Sequence, residues 1–171
     1  MKYKFIAIIL ISTVFLSFSF YKKSVMDVRP PGTVKIVENF FFDETELTNM
    51  DWREYVHWMK KKHGEDSENH LNSLPDTSVW NKLKNGFNGV MAEQYYSHPS
   101  FNDYPVVGIS YEQAVEYCKW RTDRVKEMWT IHHGEENVPN LVYRLPTQIE
   151  WELIANTGFK PLSKKVKRKY K

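Results

Sequence analysis

The sequence predicts an α+β domain of short strands, about three helices and long irregular connections. Three observations point there. Two blocks, Tyr104–Arg121 (YPVVGISYEQAVEYCKWR) and Tyr143–Ala155 (YRLPTQIEWELIA), each read as an extended segment feeding a capped helix. A third helical period stands upstream, with Trp52, Tyr55, Val56 and Met59 at i, i+3, i+4 and i+7. Between them, Glu65–Asp103 has no sustained period. It is punctuated by Pro75, Gly86, Gly89 and Pro99 and carries Trp80, Phe87, Tyr95, Tyr96 and Phe101. Rings of that size hold irregular backbone by packing beneath it.

Taken in order, residues 1–21 read as an export segment: Lys2 and Lys4, then the apolar run Phe5–Phe20, closed by Lys22 and Lys23. The run is short for a membrane span, which takes about 20 apolar residues. It is read as a signal peptide, with an uncleaved anchor as the competing reading; no cysteine follows it to carry a lipid. Residues 22–31 form a linker ending in Pro30-Pro31, and the folding unit is placed at 32–158. Within it, Thr33–Phe42 is rich in Val, Ile and Phe and predicts a strand or two. Thr48 with Asp51 makes a near capping box for the first helix, and Gly64 ends it. Glu65–Asp103 predicts a long packed segment with one short helix at most. Pro105–Ile109 predicts a strand, and Ser110 with Gln113 caps a helix whose stripe is Tyr111, Ala114, Val115, Cys118, Thr122, Val125 and Trp129. Thr130–Asn140 is a polar excursion, Leu141–Leu145 a further strand, and Pro146 stops it. Thr147 with Glu150 caps a last helix with Trp151, Ile154 and Ala155 inward and Gly158 at its end.

Composition narrows the function classes. Six Trp, ten Tyr and ten Phe in 171 residues are incompatible with a disordered chain. The formal charge of +3 conceals an asymmetry. The last twelve residues hold seven Lys and Arg and no acid, which leaves 17 basic against 21 acidic residues elsewhere, a net −4. Basic residues are thus not spread over the folded part, which argues against a nucleic-acid partner. The basic tail, residues 159–171, is a solvated end or a contact for an anionic membrane surface or a partner. One cysteine, Cys118, rules out an intramolecular disulfide and a multi-cysteine zinc site. On an apolar helix face it reads as a small buried hydrophobe with nothing to stabilise its thiolate.

No active site emerges from residue chemistry alone. The six histidines, His57, His63, His70, His98, His132 and His133, fall at no familiar metal-site spacing, and there is no glycine-rich phosphate loop or nucleophile elbow. Asp43, Glu44 and Glu46 read as charges near a helix N-terminus, or as oxygen donors to a cation.

The two blocks resemble a specific family. PVVGISYEQAVEYCKW followed by YRLPTQIEWE is similar to the signature of the formylglycine-generating-enzyme family, the sulfatase-modifying factors. Pro105, Val106, Gly108 and Ser110 match its first stretch, with Tyr111 where Trp is usual. Ala114, Tyr117, Cys118 and Trp120 match its helix. Arg144, Leu145, Pro146, Thr147, Glu150, Trp151 and Glu152 match its last block, with Gln148 where Glu is usual. Upstream, Asp43, Glu46, Thr48 and Asn49 resemble the family's Asp-x-x-Glu-Val-Thr-Asn segment. The wording is most similar to the branch that contains gliding-motility and secretion-associated envelope lipoproteins.

The resemblance implies an irregular C-type-lectin-like fold, present here in its N-terminal portion. In the oxidases of the family a C-terminal cysteine pair binds copper, and other relatives use iron. Cys118 is not one of that pair, and no catalytic, cofactor-binding or metal-binding residue is assigned to this chain. Copper or iron is expected only if a C-terminal catalytic half is supplied. The reading that follows is an exported, non-catalytic module acting in the periplasm or membrane-associated cell envelope through a protein partner, with membrane contact through the apolar run or the basic tail. The alternatives are a truncated oxidase or non-haem metal enzyme completed by another chain, and a lectin-like ligand-binding module using the aromatics between Trp80 and Phe101.

Overall fold

A computed structural model describes residues 29–37, 39–82 and 88–157. The export segment, residues 22–28 of the linker, the Gly158 helix stop and the basic tail lie outside the described residues. The architecture is α+β, as predicted, with a two-stranded antiparallel sheet and helices around it.

β1 (Thr33–Val37) and β2 (Phe40–Asp43) form a hairpin in which Val34 pairs with Phe42 and Thr33 with Asp43. The register slips between Lys35 and Val37, and Asn39 takes the turn at φ 60°, a conformation that asparagine tolerates better than most side chains. Buried Pro30 anchors the approach: its carbonyl accepts from the Thr33 hydroxyl at 2.6 Å.

α1 (Asn49–His63) starts on the predicted capping box. The Thr48 hydroxyl accepts from the Asp51 N–H, and the Asp51 carboxylate accepts from the Thr48 N–H. Three lysines and His63 occupy its last turn, where the helix dipole favours cations, and Gly64 ends it. α2 (Glu68–Leu71), α3 (Asn88–Gln94) and the 3-10 turns Thr77–Lys82 and Pro99–Phe101 follow. The middle segment is thus more helical than expected, in pieces too short for a period to show. The aromatics do pin it: Tyr95 is buried, with the Trp80 ring 4.6 Å and the Phe101 ring 5.1 Å away.

α4 (Tyr111–His133) begins on the Ser110–Gln113 capping box and runs 23 residues. It continues three residues past Thr130, through stretch expected to be polar loop, before Gly134 closes it at φ 82°. Its expected single stripe is also corrected, because α4 packs on two sides. Toward α1 it presents Tyr117 and Trp120, where Tyr117 stacks on Trp52 at 5.3 Å and Tyr55 meets Trp120 at 5.3 Å. Toward the hairpin it presents Ala114, Cys118 and Arg121. Tyr111, the stripe's first residue, is 70% exposed. The core is therefore an aromatic cluster of Trp52, Tyr55 and Tyr117, each ring contributing roughly 2–3 kcal/mol by burial. The Trp52 indole N–H is satisfied by the Ser73 carbonyl at 2.9 Å.

Two expected strands are absent among the described residues. Pro105–Ile109 makes one isolated bridge, Thr48 to Pro105, with Val106 N–H donating to the Leu47 carbonyl. Pro105 has no N–H to offer a ladder, and Gly108 at φ 78° turns the chain out of extended geometry. Leu141–Leu145 alternates in burial as a strand does but finds no neighbouring strand. α5 (Gln148–Thr157) has the predicted cap, the Thr147 N–H donating to Glu150 and the Glu150 N–H to the Thr147 hydroxyl. Its inner face is narrower than expected: Ile154 is buried, but Ala155 is exposed and Trp151 is 59% exposed.

Candidate functional site

The two-sided packing of α4 leaves a cleft of about 1010 Å³ on its hairpin side. One wall is β2 with Phe40, Phe41 and Phe42, the floor is Ala114, Tyr117, Cys118 and Arg121 of α4, and the far wall is a strap, residues 136–146, that leaves the 3-10 turn Glu135–Asn137. A mostly apolar cleft with a few converging polar groups is the common form of a binding site.

Arg121 is the polar centre. One guanidinium nitrogen donates to Asp43 Oδ2 at 2.7 Å and the other to the Pro31 carbonyl at 2.9 Å. The same group lies over the Tyr143 ring, 4.1 Å from its centre. One side chain thus joins the hairpin, the segment before it and the strap. Burial works against its charge, but the hydrogen-bonded Asp43 carboxylate more than offsets this and holds the guanidinium above its usual range. Tyr143 adds two further ties: its N–H donates to the Thr122 hydroxyl at 2.9 Å and its phenol to the Pro31 carbonyl at 3.2 Å. Burial pushes the Tyr143 phenol up, with Arg121 pulling the other way. Asp43 Oδ1 is buried with no hydrogen-bond partner, so the carboxylate keeps an unused acceptor.

Cys118 faces this cleft, half-buried. Burial pushes its thiol up, and the Arg121 charge offsets only part of that. Such a thiol is a weak nucleophile and a reluctant metal ligand at neutral pH. Copper in this family calls for two thiolates, and soft thiolate pairs are what select that metal. These 171 residues contain one cysteine, and no histidine lines the cleft. The donor set does not fit copper. Among the described residues no three His, Cys, Asp or Glu side chains gather as a cation site, so Asp43, Glu44 and Glu46 do not form one.

The remaining signature residues take scaffold positions. Thr48 caps α1, while Glu46 is exposed. Asn49 is fully buried and its amide donates to the Tyr95 and Phe101 carbonyls at 3.1 and 3.0 Å, tying α1 to the middle segment. The Pro105 carbonyl accepts from the Tyr95 phenol at 2.7 Å. Val106 packs on the aromatic core beside Trp120. Gly108 accepts from the Asp76 N–H at 2.7 Å, and Ser110 caps α4. Arg144 forks onto Glu150 at 2.8 and 2.6 Å. Leu145 and Pro146 line the cleft rim, and Glu152 accepts from Gln148 at 2.8 Å. Only Asp43, Ala114, Tyr117, Cys118, Arg144, Leu145 and Pro146 of the signature reach the cleft. Arg121 and Tyr143 were not singled out from sequence. Their partners lie 78 and 112 residues away along the chain, and no local pattern marks such a contact.

A family model described as the sulfatase-modifying factor enzyme 1-like domain matches residues 12–171. No curated protein and no solved structure matches the chain.

Proposed function

The chain belongs to the sulfatase-modifying factor family, and from that premise we propose that it is a non-catalytic member, exported to the bacterial cell envelope and acting there through protein contacts. The observation that carries this reading is the state of Cys118. It is the one thiol of these 171 residues, half-buried and raised in pKa, in a cleft whose donors suit no copper ion. The cleft itself supports a contact role. Its phenylalanine wall and its Arg121–Asp43 floor offer apolar area with a few directional polar groups, the composition of a protein-binding patch. Export rests on the apolar run Phe5–Phe20 behind Lys2 and Lys4. Envelope membership follows the branch of gliding-motility lipoproteins that the motifs resemble, and the basic tail suits an anionic membrane surface.

The test is an oxidation assay. Purified protein, loaded with copper and given a cysteine-containing sulfatase peptide, is expected to leave the cysteine unchanged by mass spectrometry. Conversion to formylglycine would overturn the reading. A second reading, an oxidase completed by residues outside these 171, draws on the same open cleft. It requires a neighbouring coding segment that supplies two cysteines, and activity that appears on adding that polypeptide.

A further inference from the structure

The strap is secured at its two ends by local bonds and in its middle by Tyr143. At the first end the Asn137 side-chain amide donates to the His133 carbonyl at 2.7 Å, and the Val138 N–H donates to the Glu135 carbonyl at 3.3 Å. At the second end Arg144 forks onto Glu150 and Thr147 caps α5. Pro139 and Pro146 bound the stretch between, and neither has an N–H to anchor it. Tyr143 ties that stretch to the body in three ways. Its N–H donates to the Thr122 hydroxyl, its phenol donates to the Pro31 carbonyl, and its ring lies against the Arg121 guanidinium.

Each group that Tyr143 touches keeps a partner when Tyr143 leaves. The Thr122 hydroxyl still donates to the Cys118 carbonyl at 2.8 Å. The Pro31 carbonyl still accepts from Arg121 at 2.9 Å, and Arg121 stays on Asp43 at 2.7 Å. The N–H and phenol of Tyr143 pass to water. Breaking a hydrogen bond is costly chiefly when it strands a buried donor or acceptor, and this release strands none of these. Apolar burial along the stretch is also slight, with Leu141 and Leu145 half-buried and Val142 exposed. Segments held in this way open ahead of the core.

We propose that residues 139–146 are a lid on the cleft, latched at Tyr143, which opens while the α1–α4 aromatic core stays folded. Opening uncovers the α4 floor, with Cys118 and Arg121. The lid governs entry to the cleft whether the cleft takes a protein partner or belongs to a completed oxidase, so it does not depend on that choice.

Cys118, the one thiol of the 171 residues, lies on the cleft floor and reports the opening. The full chain in mild detergent is labelled in parallel with a bulky maleimide-polyethylene glycol and with iodoacetamide. The ratio of the two rates cancels any change in the thiolate population. Tyr143→Ala removes the ring contact and the phenol bond, and is expected to raise the bulky-to-small ratio about tenfold. In the wild type, hydrogen exchange is expected to show the Tyr143 amide less protected than the amides of Tyr55 and Tyr117 in the core helices. Circular dichroism checks that the variant folds, and if it does not, exchange in the wild type decides. A Tyr143 amide as protected as those of Tyr55 and Tyr117, or a folded Tyr143→Ala with the wild-type ratio, overturns the proposal. Neither result bears on the copper assay, so the two proposals fail separately.

Discussion

Gly108 shows how one residue can hold a connection that its neighbours cannot. It sits at φ 78°, its carbonyl accepts the Asp76 N–H at 2.7 Å, and a Cβ built on it would lie 2.1 Å from the Asp76 carbonyl oxygen. Conformation and space both exclude a side chain, and the obstacle is backbone, which does not move aside as a flexible side chain does. Gly108→Ala is therefore expected to destabilise the fold by about 3 kcal/mol or more, read from urea unfolding. The glycine is plain in the sequence, but its reason is not. The Asp76 backbone arrives from 32 residues away, and only that approach converts a permissive residue into an obligatory one. Asn49 carries the same lesson. The family motif flags it, yet its burial and its two carbonyl partners in the middle segment follow from packing alone.

Local grammar was most reliable for individual elements at their N-termini. Thr48, Ser110 and Thr147 each cap the helix predicted for them, because the cap is a contact between residues three apart and needs no tertiary context. At α5 the cap is reinforced by charge. The fork from Arg144, with the Thr147 N–H, brings Glu150 down to about 2 from the usual carboxylate range. The unfolded chain has an ordinary glutamate, near about 4.3. The folded value is the lower one, so this contribution is complete above the unfolded pKa and is lost as pH falls toward about 2. The protection factors of the Gln148–Thr157 amides, each referred to the intrinsic exchange rate at the same pH, are expected to fall as pH drops through that window, and Glu150→Gln to remove the fall. Protection factors that stay constant across the window in the wild type would contradict the assignment. The strands were less legible. Thr33–Phe42 formed a hairpin because a second strand lies two residues away, whereas among the described residues Pro105–Ile109 makes only its bridge to Thr48 and Leu141–Leu145 pairs with no strand. A strand is a relation between two segments, and one segment cannot announce it.

For the whole molecule the central question is what joins the hairpin, α4 and the strap into one unit. Arg121 does so through Asp43, Pro31 and Tyr143. Its side chain is 19% exposed and that of Asp43 41%, so the pair is screened more than a fully buried one. Arg121→Met keeps the length and apolar stem and removes the fork; the expected loss is about 2 kcal/mol. Hydrogen exchange should quicken first in residues 138–146, with the α1–α4 aromatic core protected as before. Uniform loss of protection would place the fork in the core rather than at the strap. The sequence by itself determined the family, the α+β class, the three capped helices and the presence of a single thiol, because each rests on residue identity or on contacts within one helical turn. The tertiary structure alone decided that α4 packs on two sides, that Arg121 is the junction, that Cys118 opens on a cleft and that the strap closes the far side of that cleft. Each of these depends on where segments separated by 21 to 112 residues come to rest, and side-chain periodicity along one element does not contain that information.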